Sequence, residues 1–214
     1  SPDSIWKGEE KSMNTKIMKD AAMLTIITLI AGLLLGLVYE VTKNPIKVQQ
    51  ALTKQKSFQA VFQDATEFNK LDNFHKENAM QILSQAGYEQ ESIDEAVQAL
   101  DANGTILGYV MQVTTSEGYG GDITFSMGIR LDGTVNGYEI LRISETAGLG
   151  MKAKDASFKD QYANKNVDSF AYTKTGATAE NEIDAISGAT ITTNAITNGV
   201  NAGIVYFNSI AKGG

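Results

Sequence analysis

The chain begins polar, turns wholly apolar for one stretch, and then alternates. From Ala21 to Tyr39, 19 consecutive residues, AAMLTIITLIAGLLLGLVY, carry no charge between Asp20 and Glu40. At about 1.5 Å of rise each they reach roughly 28 Å, close to the hydrocarbon thickness of a bilayer, and predict a membrane-crossing helix. A cleaved signal peptide is the competing reading. Its apolar region is shorter, about 7 to 15 residues, and a small-residue cleavage site follows it. Here Tyr-Glu-Val-Thr-Lys follows instead. Asn44-Pro45 predicts the end of the helix, because the residue before proline is pushed out of the α region. The residues before the run show no apolar periodicity and read as a peripheral leader.

Past the span, Val48, Leu52, Phe58, Val61 and Phe62 recur at helical spacing, so Ile46 to about Phe68 is expected to be helical. A second helix is expected from Glu77 to Leu83, ahead of Gly87. An acidic stretch from Glu89 to Asp101 leads to Asn103-Gly104. Three runs rich in Val, Ile, Thr, Tyr and Phe then predict strands: Ile106 to Thr115, Ile123 to Leu131 and Val135 to Ser144. Asp132-Gly133 between the last two is a hairpin signal, so the sheet is expected to be antiparallel. At the C-terminal end Ile196, Val200, Ile204, Phe207 and Ile210 form one face of an amphipathic helix, with Thr192 or Thr193 as candidate N-caps. The class this predicts is α+β: an antiparallel sheet with flanking helices, preceded by one N-terminal transmembrane helix.

Charge narrows the partners. The net charge is -7, and from Lys43 onward there are 14 basic against 20 acidic side chains. A nucleic-acid partner is excluded on this balance, since phosphate binding needs a basic surface. Lysines are balanced on the two sides of the span and do not decide its orientation. There is no cysteine and one histidine, His75, so thiolate clusters, c-type haem and histidine metal sites fall away. Gly32 and Gly36 make a G-x-x-x-G step, which lets a second helix approach as readily as it merely faces lipid.

Three segments hold candidate chemistry. Asp184-Ala-Ile-Ser-Gly-Ala-Thr190-Ile-Thr-Thr193 runs a hydroxyl-rich turn into the start of the last helix, where free N–H groups and the helix dipole favour a phosphate. Glu145-Thr-Ala-Gly-Leu-Gly150 follows a predicted strand, and Gly148-x-Gly150-x-x-Ala153 matches the dinucleotide pattern in letters. A Rossmann site is rejected because hairpin-linked strands precede it and no helix with an apolar face follows. Gly118-Tyr-Gly-Gly121 is a permissive loop with one aromatic ring at its tip. No catalytic triad or carboxylate pair stands out.

Taken in this order, the single span, G-Y-G-G, E-T-A-G-L-G, and D-A-I-S-G-A-T with its closing helix resemble the FMN-binding domain family. Within it the chain resembles, from about Met13 onward, the G-type subunits of Rnf electron-transport complexes, relatives of the C-type subunits of the sodium-translocating NADH:quinone reductase. That resemblance implies one FMN per chain, covalently bound as a phosphoester by the motif's last threonine, here Thr190, and installed by a dedicated flavin transferase. Asp184, Ser187, Gly188 and Ala189 would form the recognition and phosphate-side loop. Glu145, Thr146, Gly148, Leu149 and Gly150 would lie along the isoalloxazine, with Tyr119, Gly120 and Gly121 bordering the pocket. No catalytic or metal residue is implied. Ala147 stands where the family usually has proline. The expected organisation is a polar leader over 1–20, the transmembrane helix over 21–42, a helical connector over 43–100 that begins an extracytoplasmic domain, and the FMN-binding domain over 101–214. The implied function is electron relay in the cytoplasmic membrane, coupled to sodium or proton export, among integral membrane, flavin and iron–sulfur subunits. The rival is a membrane-tethered sensory or assembly module that binds FMN without relaying electrons.

Overall fold

The computed structural model describes residues 2–212. Its first helix, α1 (Pro2–Val61), includes both the predicted leader and the apolar run, and it passes through Pro45 without ending. The expected stop at Asn44-Pro45 is not met. Proline removes one donor but holds a helical φ, and the flanking leucines, lysines, glutamines and alanines propagate the helix. The chain divides into two units, residues 1–51 and 52–214. Among its described residues the first is helix alone. From Lys16 onward α1 is long and apolar enough to cross a membrane, and the side chains of its apolar window are unburied.

The second unit is built on a five-stranded antiparallel meander of β1 (Glu67–Lys70), β2 (Glu91–Leu100), β3 (Ile106–Thr115), β4 (Ile123–Arg130) and β5 (Val135–Arg142). The three runs predicted as strands are β3, β4 and β5. Their hairpin turns at Gly133, whose φ of 90° suits glycine. Two strands of the meander depart from expectation. β1 lies where the spacing predicts helix, since α1 stops at Val61. β2 occupies the acidic stretch, and a register shift between Ile93 and Glu95 breaks its alternation, so the period of two that identifies a strand is absent. A two-stranded parallel sheet, β6 (Ala171–Thr173) with β7 (Glu182–Asp184), is also unmarked in the pattern.

Alternation in the central strands gives the sheet two covered faces. Odd-numbered side chains of β4, from Ile123 to Ile129, join the core formed with α2 (Lys76–Gln85) and α4 (Thr190–Lys212). On the other face Phe58 and Val61 at the end of α1, with Phe62 just beyond it, pack against Val97, Ala99 and Val110. Between β5 and β6 the chain makes short helical turns at Gly150–Lys154, α3 (Ala156–Lys159) and Asp160–Tyr162. They are fastened by Tyr138 and Tyr162, whose rings lie 5.5 Å apart and whose hydroxyls bond the Ala153 carbonyl and Thr197 at 2.7 and 2.8 Å.

Gly108 of β3 shows how closely the end of α1 sits on the sheet. A Cβ there would lie 2.2 Å from the Ile129 carbonyl oxygen and 2.7 Å from the Phe62 ring. The backbone cannot yield, so Gly108→Ala should destabilise the full chain by about 1–3 kcal/mol. Chemical unfolding in detergent checks this; an unchanged midpoint contradicts the packing.

Candidate functional site

The site starts at the turn into α4. Gly188 has a φ of 75°, and the Ala189 carbonyl accepts the Thr193 N–H at 3.0 Å, so the helix begins at Thr190 and not at the predicted Thr192 or Thr193. The N–H groups of Thr190, Ile191 and Thr192 therefore lie in the first turn, where no intrahelical carbonyl is available. The 23 residues of α4 add the positive end of their dipole.

The three threonines of this turn are used differently. Thr193 Oγ1 accepts the Ile186 N–H and donates to the Ala189 carbonyl, both at 3.0 Å, and closes the turn from below. Thr192 Oγ1 donates to Glu145 Oε2 at 3.0 Å. Both are buried. Thr190 is half-buried, and among the described residues its hydroxyl has no hydrogen-bond partner.

Glu145 joins the turn to two other segments. Its carboxyl is buried just past β5; Oε2 takes the Thr192 hydroxyl and Oε1 accepts the Gly120 N–H at 3.1 Å. Glycines make room for it. A Cβ on Gly150 would lie 2.6 Å from Oε2 and 2.5 Å from Thr192 Oγ1, and one on Gly118 would lie 2.9 Å from Oε1.

These contacts frame a cavity of about 640 Å³, within the range of roughly 300–1,000 Å³ usual for cofactor sites. Of the residues expected at the site, Tyr119, Glu145, Thr146, Leu149, Gly150, Gly188, Ala189 and Thr190 line it. Gly120, Gly121, Gly148, Asp184 and Ser187 do not, although Gly120 holds Glu145 from behind. Asp184 instead closes its own loop: its carboxylate accepts the Ala177 N–H at 2.6 Å, while Gln161 bonds its backbone N–H and carbonyl. Ile191 and Thr192 also line the cavity, and sequence reasoning misses them. Ile191 is exposed, off the apolar stripe of α4, which is the one signal that could mark it. Tyr119, Leu149 and Ile191 are large apolar side chains left exposed at the cavity. The arrangement offers a free hydroxyl and N–H donors for a phosphate, and apolar side chains for a flat ring system.

The FMN-binding domain family matches residues 118–205, which enclose every residue of the cavity wall, and the family described as the RnfG N-terminal region matches residues 13–61. The G-type subunit of the Na(+)-translocating ferredoxin:NAD(+) oxidoreductase complex of Acetobacterium woodii is 31% identical over 198 residues, 92% of this chain and 94% of the relative. Its counterpart in the proton-translocating ferredoxin:NAD(+) oxidoreductase complex of Clostridium ljungdahlii is 30% identical over 190 residues, 89% of this chain and 91% of the relative. The crystal structure of Shewanella oneidensis NqrC is similar at 18% identity and a TM-score of 0.48, over 57% of this chain and 62% of that one. Fold, cavity and family match together define a protein with an FMN-binding domain that follows an apolar N-terminal helix. More narrowly, the chain belongs to the RnfG family, the G-type subunits of Rnf ion-translocating oxidoreductase complexes.

Loss of the Glu145 carboxyl strands the Gly120 N–H and the Thr192 hydroxyl. Glu145→Ala should therefore lower stability by about 1–3 kcal/mol. Glu145→Gln, which can still accept from Gly120 and donate to the Thr192 oxygen, should cost less than half as much. Equal losses, measured by chemical unfolding, contradict the clasp.

Proposed function

We propose that the chain is an electron-transport subunit of an Rnf-type ferredoxin:NAD oxidoreductase complex, carrying one FMN esterified through its phosphate to Thr190 Oγ1. The subunit assignment follows from family membership. What supports the attachment site is how the hydroxyls are used. Of the three threonines in the first turn of α4, Thr192 and Thr193 are buried and committed to internal hydrogen bonds, whereas Thr190 faces the cavity with its hydroxyl free. The residues fit the group: N–H donors at the helix start suit a phosphate, and Tyr119, Leu149 and Ile191 suit a ring that must be partly shielded from water.

When bound, FMN accepts and releases electrons one or two at a time. The protein's own contribution is to hold and shield. α4's first turn faces the charge left on the phosphoester, and Glu145 keeps the two walls together. An ester to the phosphate leaves the ring end unattached, so apolar contacts and hydrogen bonds around it set its potential. This reading places the domain outside the cytoplasmic membrane, where a covalent bond prevents loss of the cofactor by dilution. Integral membrane, flavin and iron–sulfur subunits of the complex would be its partners, and a flavin transferase would act during maturation. The subunit carries electrons and does not turn over a substrate of its own.

Flavin fluorescence on a denaturing gel, from cells that contain the transferase, tests the attachment. The wild-type chain should give a fluorescent band, Thr190→Ala none, and Thr192→Ala a band of at least about half the intensity, since that change leaves the Thr190 hydroxyl in place and costs about 1–3 kcal/mol of stability by taking one donor from Glu145. A band that survives Thr190→Ala overturns the assignment. No band from the wild type favours an FMN-binding module without covalent flavin.

A further inference from the structure

The loop after β3 that brings Tyr119 to the cavity has few backbone ties of its own. Ser116 is pinned to Gln90, and the Gly121 N–H reaches the Gly118 carbonyl at a long 3.4 Å. Two side-chain carboxyls do the rest. One is Glu145, already described. The other is Glu117, whose Oε2 accepts the side-chain amides of Asn194 at 3.1 Å and Asn198 at 2.7 Å. Thr190, Asn194 and Asn198 stand at four-residue steps and so form a single stripe along α4, with Thr190 of the cavity wall at its head.

Glu91, the first residue of β2, is buried nearby. Thr115 links the two: its hydroxyl donates to Glu91 Oε1 at 3.0 Å and its Oγ1 accepts the Glu117 N–H at 3.3 Å. The groups facing the pair are Thr115 from β3, Asn194 and Asn198 from α4, and Tyr88 ahead of β2, whose phenol burial and then Glu91 hold above its usual range. Among the described residues neither carboxyl is ion-paired with lysine or arginine. Two such carboxyls cannot both ionise without mutual repulsion.

We propose that Glu117 is a positioning residue: held by Asn194 and Asn198 and joined through Thr115 to Glu91, it seats the Tyr119 loop on the face of α4 that starts with Thr190. The role of this seating in flavin binding rests on the function proposed above; the latch itself does not. Burial, and then the Glu117 carboxylate, push the Glu91 carboxyl up to about 7 from its ordinary 4.5. The folded protein keeps a proton there that an unfolded chain releases above about 4.5. The stability that protonated Glu91 contributes is therefore fully present below about 4.5 and is lost as the pH rises through about 7.

Amide hydrogen exchange of the full chain in detergent, read by mass spectrometry on peptides covering residues 116–122, tests this. The Gly120 N–H, bonded to Glu145, is the reporter. Wild type, Glu117→Ala, Glu117→Gln and Glu91→Gln are compared at about pH 6 and about pH 8 after allowance for intrinsic exchange chemistry. All four are made both with Thr190 intact and as Thr190→Ala. Glu117→Ala should speed exchange of the loop by about tenfold at both pH values, while peptides from β3 and β4 keep their protection. Glu117→Gln, which keeps an acceptor for the asparagine amides, should restore most of that protection. In wild type the loop should open several-fold more at the higher pH; Glu91→Gln should abolish that difference and Glu117→Gln should reduce it. Unchanged loop protection in Glu117→Ala, or the same pH response in all four proteins, overturns the proposal. Because the Thr190→Ala set carries no flavin on that residue, the same results there keep the latch standing even if the flavin assignment falls. A failure confined to gel fluorescence leaves the latch untouched.

Discussion

The carboxyl group of Glu145 accepts the Gly120 N–H on one oxygen and the Thr192 hydroxyl on the other, and so fastens the loop after β3 and the segment after β5 to the first turn of α4. Gly120 and Thr192 are 25 and 47 residues from it along the chain. Nothing else in the described structure ties all three at one point. A buried carboxyl is costly unless its oxygens are satisfied, and here each has a donor at hydrogen-bonding distance. The close approach this requires explains the glycines around it. Gly118 and Gly150 leave no room for a Cβ beside the carboxyl, so the glycine-rich look of these loops reflects crowding about one side chain more than flexibility.

From that clasp the division of labour among the hydroxyls follows. Thr192 is spent on Glu145 and Thr193 on the turn below, which leaves Thr190 at the head of the helix, on the cavity wall, as the unbonded hydroxyl of the three. A phosphate placed there meets donors that the helix cannot satisfy internally. The apolar side chains of the cavity come from three different segments, so its shape depends on how those segments are held. The sheet is the rigid part. Its two covered faces, one against α2 and α4 and one against the end of α1, hold β3 and β5 in place, and the site loops spring from their ends.

Much of this is legible in the residues because the central strands obey simple rules. β3, β4 and β5 are dense in β-branched and aromatic residues, and Asp132-Gly133 marks their hairpin. The site segments can be placed in order, and eight of their residues do line the cavity. What fails does so for local reasons. β2 has a bulge after Ile93 that destroys its period, and its Glu91 and Glu95 suggest a solvated surface although Glu91 is buried. Thr192 and Thr193 have the look of caps, but Thr193 closes the turn below the helix and the Thr192 hydroxyl reaches across to Glu145, a tertiary use that spacing does not show. Asp184 shares the motif with Thr190, yet its carboxylate turns back to Ala177. Pro45 has the look of a stop, and α1 continues through it.

The account stands on a phosphoester at one hydroxyl, and the most direct measurement is the mass of the tryptic peptide spanning residues 175–212. It should be taken from protein made in cells that contain the flavin transferase. The peptide is predicted to be heavier by one FMN less one water, with fragmentation placing the addition on Thr190. An unmodified peptide, or an addition on Ser187, Thr192 or Thr193, would contradict it.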